Sequence, residues 1–288
     1  MGRVGPPRFL VAGAATHSPM RFFAAAGPIA LAAILLACLG GGQAGSAQGA
    51  EWTSCHPPAP ARQSILVFSR TAGYRHGSIP EGVEAIRRMG SQLNFAVEHT
   101  EDPGAFTDAG LDRHAAVVFL NTTGDVLDLA QQLALERFIR AGGGFAGVHS
   151  AADTEYDWPW YGELVGAWFE RHPAIQEARL AVVDSGHPAT RCLPATWTRR
   201  DEWYDFRSTP PAGATILLTL DESSYRGGRM GTSHPVSWFR EFDGGRAWYT
   251  ALGHTGESYT EPAFLDHLAG GILWVMGVGQ LGSGAAGP

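Results

Sequence analysis

Beyond residue 64 the chain alternates short apolar runs with amphipathic stretches, the pattern of successive strand and helix units that build a parallel sheet. Residues 65–69 read as a buried strand. After a loop over 70–77, Ser78-Ile79-Pro80-Glu81 has the form of a capping box with proline in the first turn, and Val83, Ile86, Met89 and Leu93 then share one helical face. Residues 95–98 and 115–120 give a second and a third strand. Asp128-Leu129-Ala130-Gln131 is another capping box, and its helix carries Leu133, Leu135, Phe138 and Ile139 until Gly142-Gly143-Gly144 stops it, ahead of a fourth strand over 145–148. After this the rhythm changes. Residues 175–184, 215–221, 236–242 and 247–252 read as strands with few long helices between them, and Asp243-Gly244-Gly245-Arg246 joins the last two as a hairpin. Thr260 caps and Pro262 starts a closing helix lined by Phe264, Leu265, Leu268 and Ile272 that ends at Gly277. The whole predicts an α/β fold, a doubly wound, mainly parallel sheet with a strand-rich second half.

The first 50 residues have a different character. Residues 22–50 hold no charged side chain, and 29–39 form an unbroken apolar run preceded by Arg21, shorter than the ~20 residues a membrane-spanning helix needs. A basic start, a short apolar stretch and the small-residue string Ala44-Gly45-Ser46-Ala47 describe a secretory signal over 1–50, cut near Ala47. Leu35-Leu36-Ala37-Cys38 also has the form of a lipobox, in which Cys38 would carry lipid and become the first mature residue. Residues 1–19 are a long preamble to such a signal, which makes Met20 an alternative start. The expected localisation is therefore periplasmic or extracellular, with contact to a membrane only through an anchor at Cys38. Residues 51–63, rich in Pro and Ala, read as a linker or arm, 64–279 as the domain, and 280–288 as a flexible tail.

Composition narrows the classes further. With 288 residues, 44% hydrophobic and 17% charged, the chain can bury a core of ordinary size, which excludes wholesale disorder. A formal charge of −7 offers no basic surface for a phosphate backbone, so nucleic acid is not an expected partner. Two of the three cysteines, Cys55 and Cys192, lie beyond the leader; in an exported protein they can close a disulfide or stay as separate thiols.

In a doubly wound sheet ligands sit beyond the carboxyl ends of the strands, where strand order reverses. The loops there hold Tyr74 and His76 after strand one, Asn121 after strand three, and His149 and Asp153 after strand four. Gly147-Val148-His149-Ser150-Ala151 has the shape of a nucleophile elbow, but its apex carries an imidazole, suited to general acid or base work rather than nucleophilic attack. His254 likewise follows a strand. Four His-Pro pairs, at His56, His172, His187 and His234, favour loops because proline biases the preceding residue toward extended backbone. Three imidazoles with Asp153 would suit zinc or another transition ion, although no closely spaced His pair is present; no cofactor is otherwise expected. Rings beside carboxylates, as in Tyr156-Asp157-Trp158 and Asp201-Glu202-Trp203-Tyr204, suit sugar faces and hydroxyls, or else core packing.

Thr71-Ala72-Gly73-Tyr74-Arg75-His76-Gly77-Ser78-Ile79, Phe119-Leu120-Asn121-Thr122-Thr123-Gly124-Asp125, the segment 142–153, His187-Pro188-Ala189-Thr190, Asp201-Glu202-Trp203-Tyr204, Pro235-Val236-Ser237-Trp238 and Tyr249-Thr250-Ala251-Leu252-Gly253-His254 resemble, in order, the motifs of the ThuA-like (trehalose utilisation) family. The resemblance implies a flavodoxin-like fold related to the class I glutamine amidotransferase superfamily. The elbow holds His149 where a glutaminase needs Cys, so glutamine hydrolysis is not implied. It also implies a role in catabolism of trehalose-type disaccharides and their 3-keto derivatives, often by exported members. The expected site then has His149 as acid or base, His76 and His254 polarising oxygen, Asp153 or Glu202 assisting, and Tyr74, Asn121, Tyr156, Trp203 and Trp238 binding a small carbohydrate. The reaction would be isomerisation, elimination or hydrolysis. The alternatives are a noncatalytic carbohydrate-binding module and a metal-dependent hydrolase.

Overall fold

The computed structural model describes residues 52–278. The expected signal segment with Met20, Cys38 and the cleavage point near Ala47 lies outside the described residues, as does the tail at 280–288. Among the described residues no helix is long and apolar enough to cross a membrane.

Among the described residues nine strands form one sheet, and its order follows from the chain's local signals. β1 (Gln63–Phe68), β2 (Phe95–Thr100), β3 (Ala116–Leu120) and β4 (Gly144–Val148) lie parallel in the order β2-β1-β3-β4. Ile65 to Phe68 and all of β3 and β4 are buried on both faces, which is why these strands read as continuous apolar runs rather than alternations. β11 (Gly245–Thr250) extends the parallel part beside β4, and from there the sheet turns antiparallel through β10 (Pro235–Phe242), β9 (Thr215–Asp221), β6 (Gln176–Val182) and β7 (Thr196–Asp201). β5 (Phe169–Arg171) and β8 (Asp205–Phe206) pair separately. This is an α/β, flavodoxin-like, doubly wound arrangement with a strand-rich second half.

The helices cover the parallel part. α1 (Ile79–Leu93) buries the predicted Val83, Ile86, Met89 and Leu93, and packs with α5 (Pro262–Val275). α2 (Asp108–Leu111) packs on α3 (Leu129–Arg140), and α4 (Pro159–Val165) sits against β11. The box at Asp128 forms as expected, with Asp128 accepting from the Gln131 amide and Gln131 bonding back to the Asp128 N–H. The box at Ser78 does not form. Ser78 makes no cap bond; its Oγ accepts instead from Asn121 Nδ2 at 3.0 Å, so a tether to the loop after β3 takes the hydroxyl. Thr260 also caps nothing in α5, whose N-cap is Glu261.

Residues 52–62 are not a free linker. His56 and Ala59 are buried, Ala59 N–H donates to Leu93 O, and Trp52 Nε1 and Cys55 N–H both donate to Asp266 Oδ1 on α5. Cys55 and Cys192 form a disulfide that locks this arm to the body.

Candidate functional site

Six imidazole and carboxylate side chains, His76, His149, His172, His254, Asp153 and Glu202, converge at one end of the sheet. β4 ends at Val148, and His149 turns the chain with φ +51°, a left-handed conformation that non-glycine residues adopt only where surrounding contacts hold them. Those contacts are visible: Tyr249 OH donates to His149 O at 2.8 Å, and His149 Nδ1 donates to Ala251 O at 2.8 Å. With Nδ1 engaged by Ala251 O, the ring turns Nε2 toward its neighbours. His254 follows β11, with its Nδ1 3.0 Å from His149 Nε2. His76, in the loop after β1, meets both rings edge-on at centroid distances of 4.8 and 5.0 Å, and its Nδ1 shares a hydrogen bond with Ser150 Oγ.

Glu202 reaches the same point from the far edge of the sheet. Its Oε2 stands 3.1 Å from His254 Nδ1 and 3.4 Å from His149 Nε2, and its Oε1 lies 3.0 Å from His172 Nδ1. The antiparallel half must fold back for this to happen, and Asp201 anchors it, accepting from Gly253 N–H at 2.9 Å and His254 N–H at 3.1 Å. Arg199, buried on the same strand, holds Asp201 and Glu261 at 3.2 and 3.3 Å.

Burial shapes the charges. Burial, then the neighbouring His149 and His254, brings the His76 imidazole down to about 3. Burial pushes the Glu202 carboxyl up, but hydrogen bonds to His149 and His254 override it and hold the group well below the usual carboxylate range. Asp153 is raised, because burial outweighs the hydrogen bond it accepts from Tyr156 OH at 2.6 Å.

The cleft above these groups has a volume of about 420 Å³ and is lined by Tyr74, His76, Asp153, Phe169, His172, Glu202, Tyr204 and His254. Of the residues named from sequence, His76, His254, Asp153, Glu202 and Tyr74 lie on this one cleft. His149 belongs to the cluster but is fully buried beneath it, so it holds other side chains rather than facing the cavity. Four expected sugar-binding residues lie elsewhere. Trp203 is fully buried with Nε1 on Gln176 O, and Trp238 packs on Tyr249 with Nε1 on Val165 O. Asn121 is buried and spends its amide on Ser78 and Gly253 O, while Tyr156 stands behind Asp153. Asp153 is also not the carboxylate of the imidazole cluster, a position that Glu202 takes. Three cleft residues were not singled out from sequence: His172, Tyr204 and Phe169. Tyr204 lies under the site, 4.3 Å from the His149 ring and 4.2 Å from Phe169; the His172-Pro173 pair and the Asp201-Glu202-Trp203-Tyr204 run were the signals pointing there.

An α/β flavodoxin-like sheet with a His- and carboxylate-lined cleft at its carboxyl rim defines the class. The family model for ThuA, described as trehalose utilisation, matches residues 64–275, and the chain belongs to this family. Among solved structures, it is similar to a ThuA-like protein of Bacteroides uniformis, with TM-score 0.65 and 20% identity, covering 77% of this chain and 95% of that one. A ThuA-like protein of Parabacteroides merdae gives TM-score 0.60 and 18% identity over 75% of this chain and 90% of that one. A β-galactosidase of Bacillus circulans shares the fold over 76% of this chain and 32% of its own, with TM-score 0.51 and 14% identity. No curated protein matches.

Proposed function

We propose that this protein is an exported enzyme that acts on a trehalose-type disaccharide or its keto derivative by proton transfer. The observation that carries the reading is the cleft itself: Asp153, His172 and His254 face one cavity flanked by the rings of Tyr74, Phe169 and Tyr204. A volume of about 420 Å³ suits a small sugar, whose apolar faces pack on aromatic rings while its hydroxyls meet the polar groups. The family's association with trehalose utilisation supports the substrate class. In the keto derivative the carbonyl acidifies the neighbouring C–H; Asp153 accepts that proton, His254 and His172 stabilise the enediolate oxygens while the neighbouring hydroxyl proton passes to the former carbonyl oxygen, and return of the first proton to the former carbonyl carbon completes an isomerisation without net redox change. The Cys55–Cys192 disulfide supports export, because such bonds persist in oxidising compartments.

The test is a turnover assay on trehalose, related disaccharides and their keto forms. The wild-type protein converts at least one of them. Asp153→Asn keeps sugar affinity, because Asn still accepts from Tyr156, and lowers kcat by roughly 10²–10⁴-fold. Sugar binding without turnover would make the protein a carbohydrate-binding module, and absence of both would remove the sugar reading.

A further inference from the structure

The His149, His254, Glu202 and His76 cluster draws ligand-type atoms close together. His149 Nδ1 is committed to Ala251 O, which turns its Nε2 toward the cluster. Glu202 Oε2 stands 3.4 Å from that Nε2, and His254 Nδ1 lies 3.0 Å from one and 3.1 Å from the other. Three ligand-type atoms at mutual distances of 3.0, 3.1 and 3.4 Å match the edges of a coordination polyhedron, since bonds of about 2.0–2.2 Å place neighbouring ligands about 3.0–3.5 Å apart. His76 completes the set: each of the four residues offers one ligand atom, and all four atoms lie within 4.8 Å of one another.

We propose that His76, His149, His254 and Glu202 bind one divalent first-row transition metal ion, with an open coordination position toward the cleft. The surrounding bonds are of the kind that orient metal ligands. The other nitrogen of His149 donates to a backbone carbonyl, His76 Nδ1 meets Ser150 Oγ at 3.3 Å, and the second oxygen of Glu202 meets His172 at 3.0 Å. Imidazole with one carboxylate suits Zn, Mn, Fe, Co or Ni rather than Ca or Mg. His76, Glu202 and His254 line the cleft, so an ion there faces the cavity. The other two candidate groups among the described residues do not compete. Cys55 and Cys192 are bonded to each other. His234 has both ring nitrogens engaged, by Tyr204 O at 2.7 Å and Glu222 Oε1 at 2.9 Å, and Asp205 holds Arg171 at 2.6 Å.

This site stands independently of the sugar reading, because its test is metal binding. Full-length protein stripped with chelator and titrated with CoCl₂ binds one Co²⁺ per chain, with visible d–d absorption and a raised Tm. Glu202→Gln weakens Co²⁺ binding by about 100-fold or more, and Ser150→Ala, which removes only the partner of His76, by about 10-fold. Glu222→Gln, at the His234 group, leaves it unchanged. A wild-type protein that takes up no stoichiometric Co²⁺, or whose binding is indifferent to both Glu202→Gln and Ser150→Ala, overturns the proposal. Should Glu202→Gln not fold, the wild-type stoichiometry and the Ser150→Ala titration decide it. Metal binding with no turnover of any sugar keeps the site and removes the proposed substrate.

Discussion

Single residues at the ends of β3 and β4 carry the strain of the site. Asn121, like His149, has positive φ, at +52°, and its amide ties Ser78 Oγ and Gly253 O together beneath the cleft. Asn121→Ala removes these buried bonds and places an alanine in a left-handed conformation, so it should lower stability by about 2–4 kcal/mol in urea unfolding, with Asn121→Gly less harmful than alanine. The site was partly legible at this scale. His76, His149 and His254 were readable because each follows a strand, where a doubly wound sheet must put its ligand. Glu202 was readable as an acid among rings. His172 was not, since one His-Pro pair resembles three others that ended in packing or ion-pair roles: His56 meets Asp266 O, His187 stacks on Phe239, and His234 pairs with Glu222. Trp203 and Trp238 read as sugar platforms because an indole in sequence does not reveal which of its faces is already covered; both are core.

Among the elements, β1 to β4, α1, α3, α5 and the β10–β11 hairpin were readable from local pattern alone. β7 was not, for a specific reason. Its inward positions alternate correctly, but they are Trp197, Arg199 and Asp201, so the buried face carries two charges and no hydrophobic period appears. The short β5 and β8 have too few residues to show any period. The arm at 52–62 was readable as Pro-rich but not as packed, because the partners that hold it, Leu93 and Asp266, are distant in sequence. The Cys55–Cys192 bond closes a loop with a sequence separation of 137, so Cys55→Ser with Cys192→Ser should cost about 2–5 kcal/mol. Thermal unfolding with and without reductant measures it, and reductant should leave the double variant unaffected.

Across the whole molecule, buried histidines away from the cleft make stability depend on pH, His267 and His187 most strongly. His267 on α5 donates Nδ1–H to Ala189 O and meets Thr250 Oγ1, and burial lowers it to about 3; burial and then Arg191 likewise lower His187 to about 3. In the unfolded chain both titrate near 6.5, so below that pH the unfolded state binds more protons than the folded one. Stability is therefore full above pH 6.5 and falls progressively toward pH 3, and His267→Gln should flatten that slope in urea midpoints measured across the range. The parts of the His76, His149, His254 and Glu202 cluster arrive from opposite ends of the polypeptide's architecture: the three imidazoles follow strands of the parallel half, and the carboxylate follows β7, five places from β4 in the sheet. Natural variation consequently has two separate handles on this centre. Substitutions along the outermost ribbon can exchange the acid or retune its charge, while the tightly packed interior that sets the nitrogen donors is left as it was.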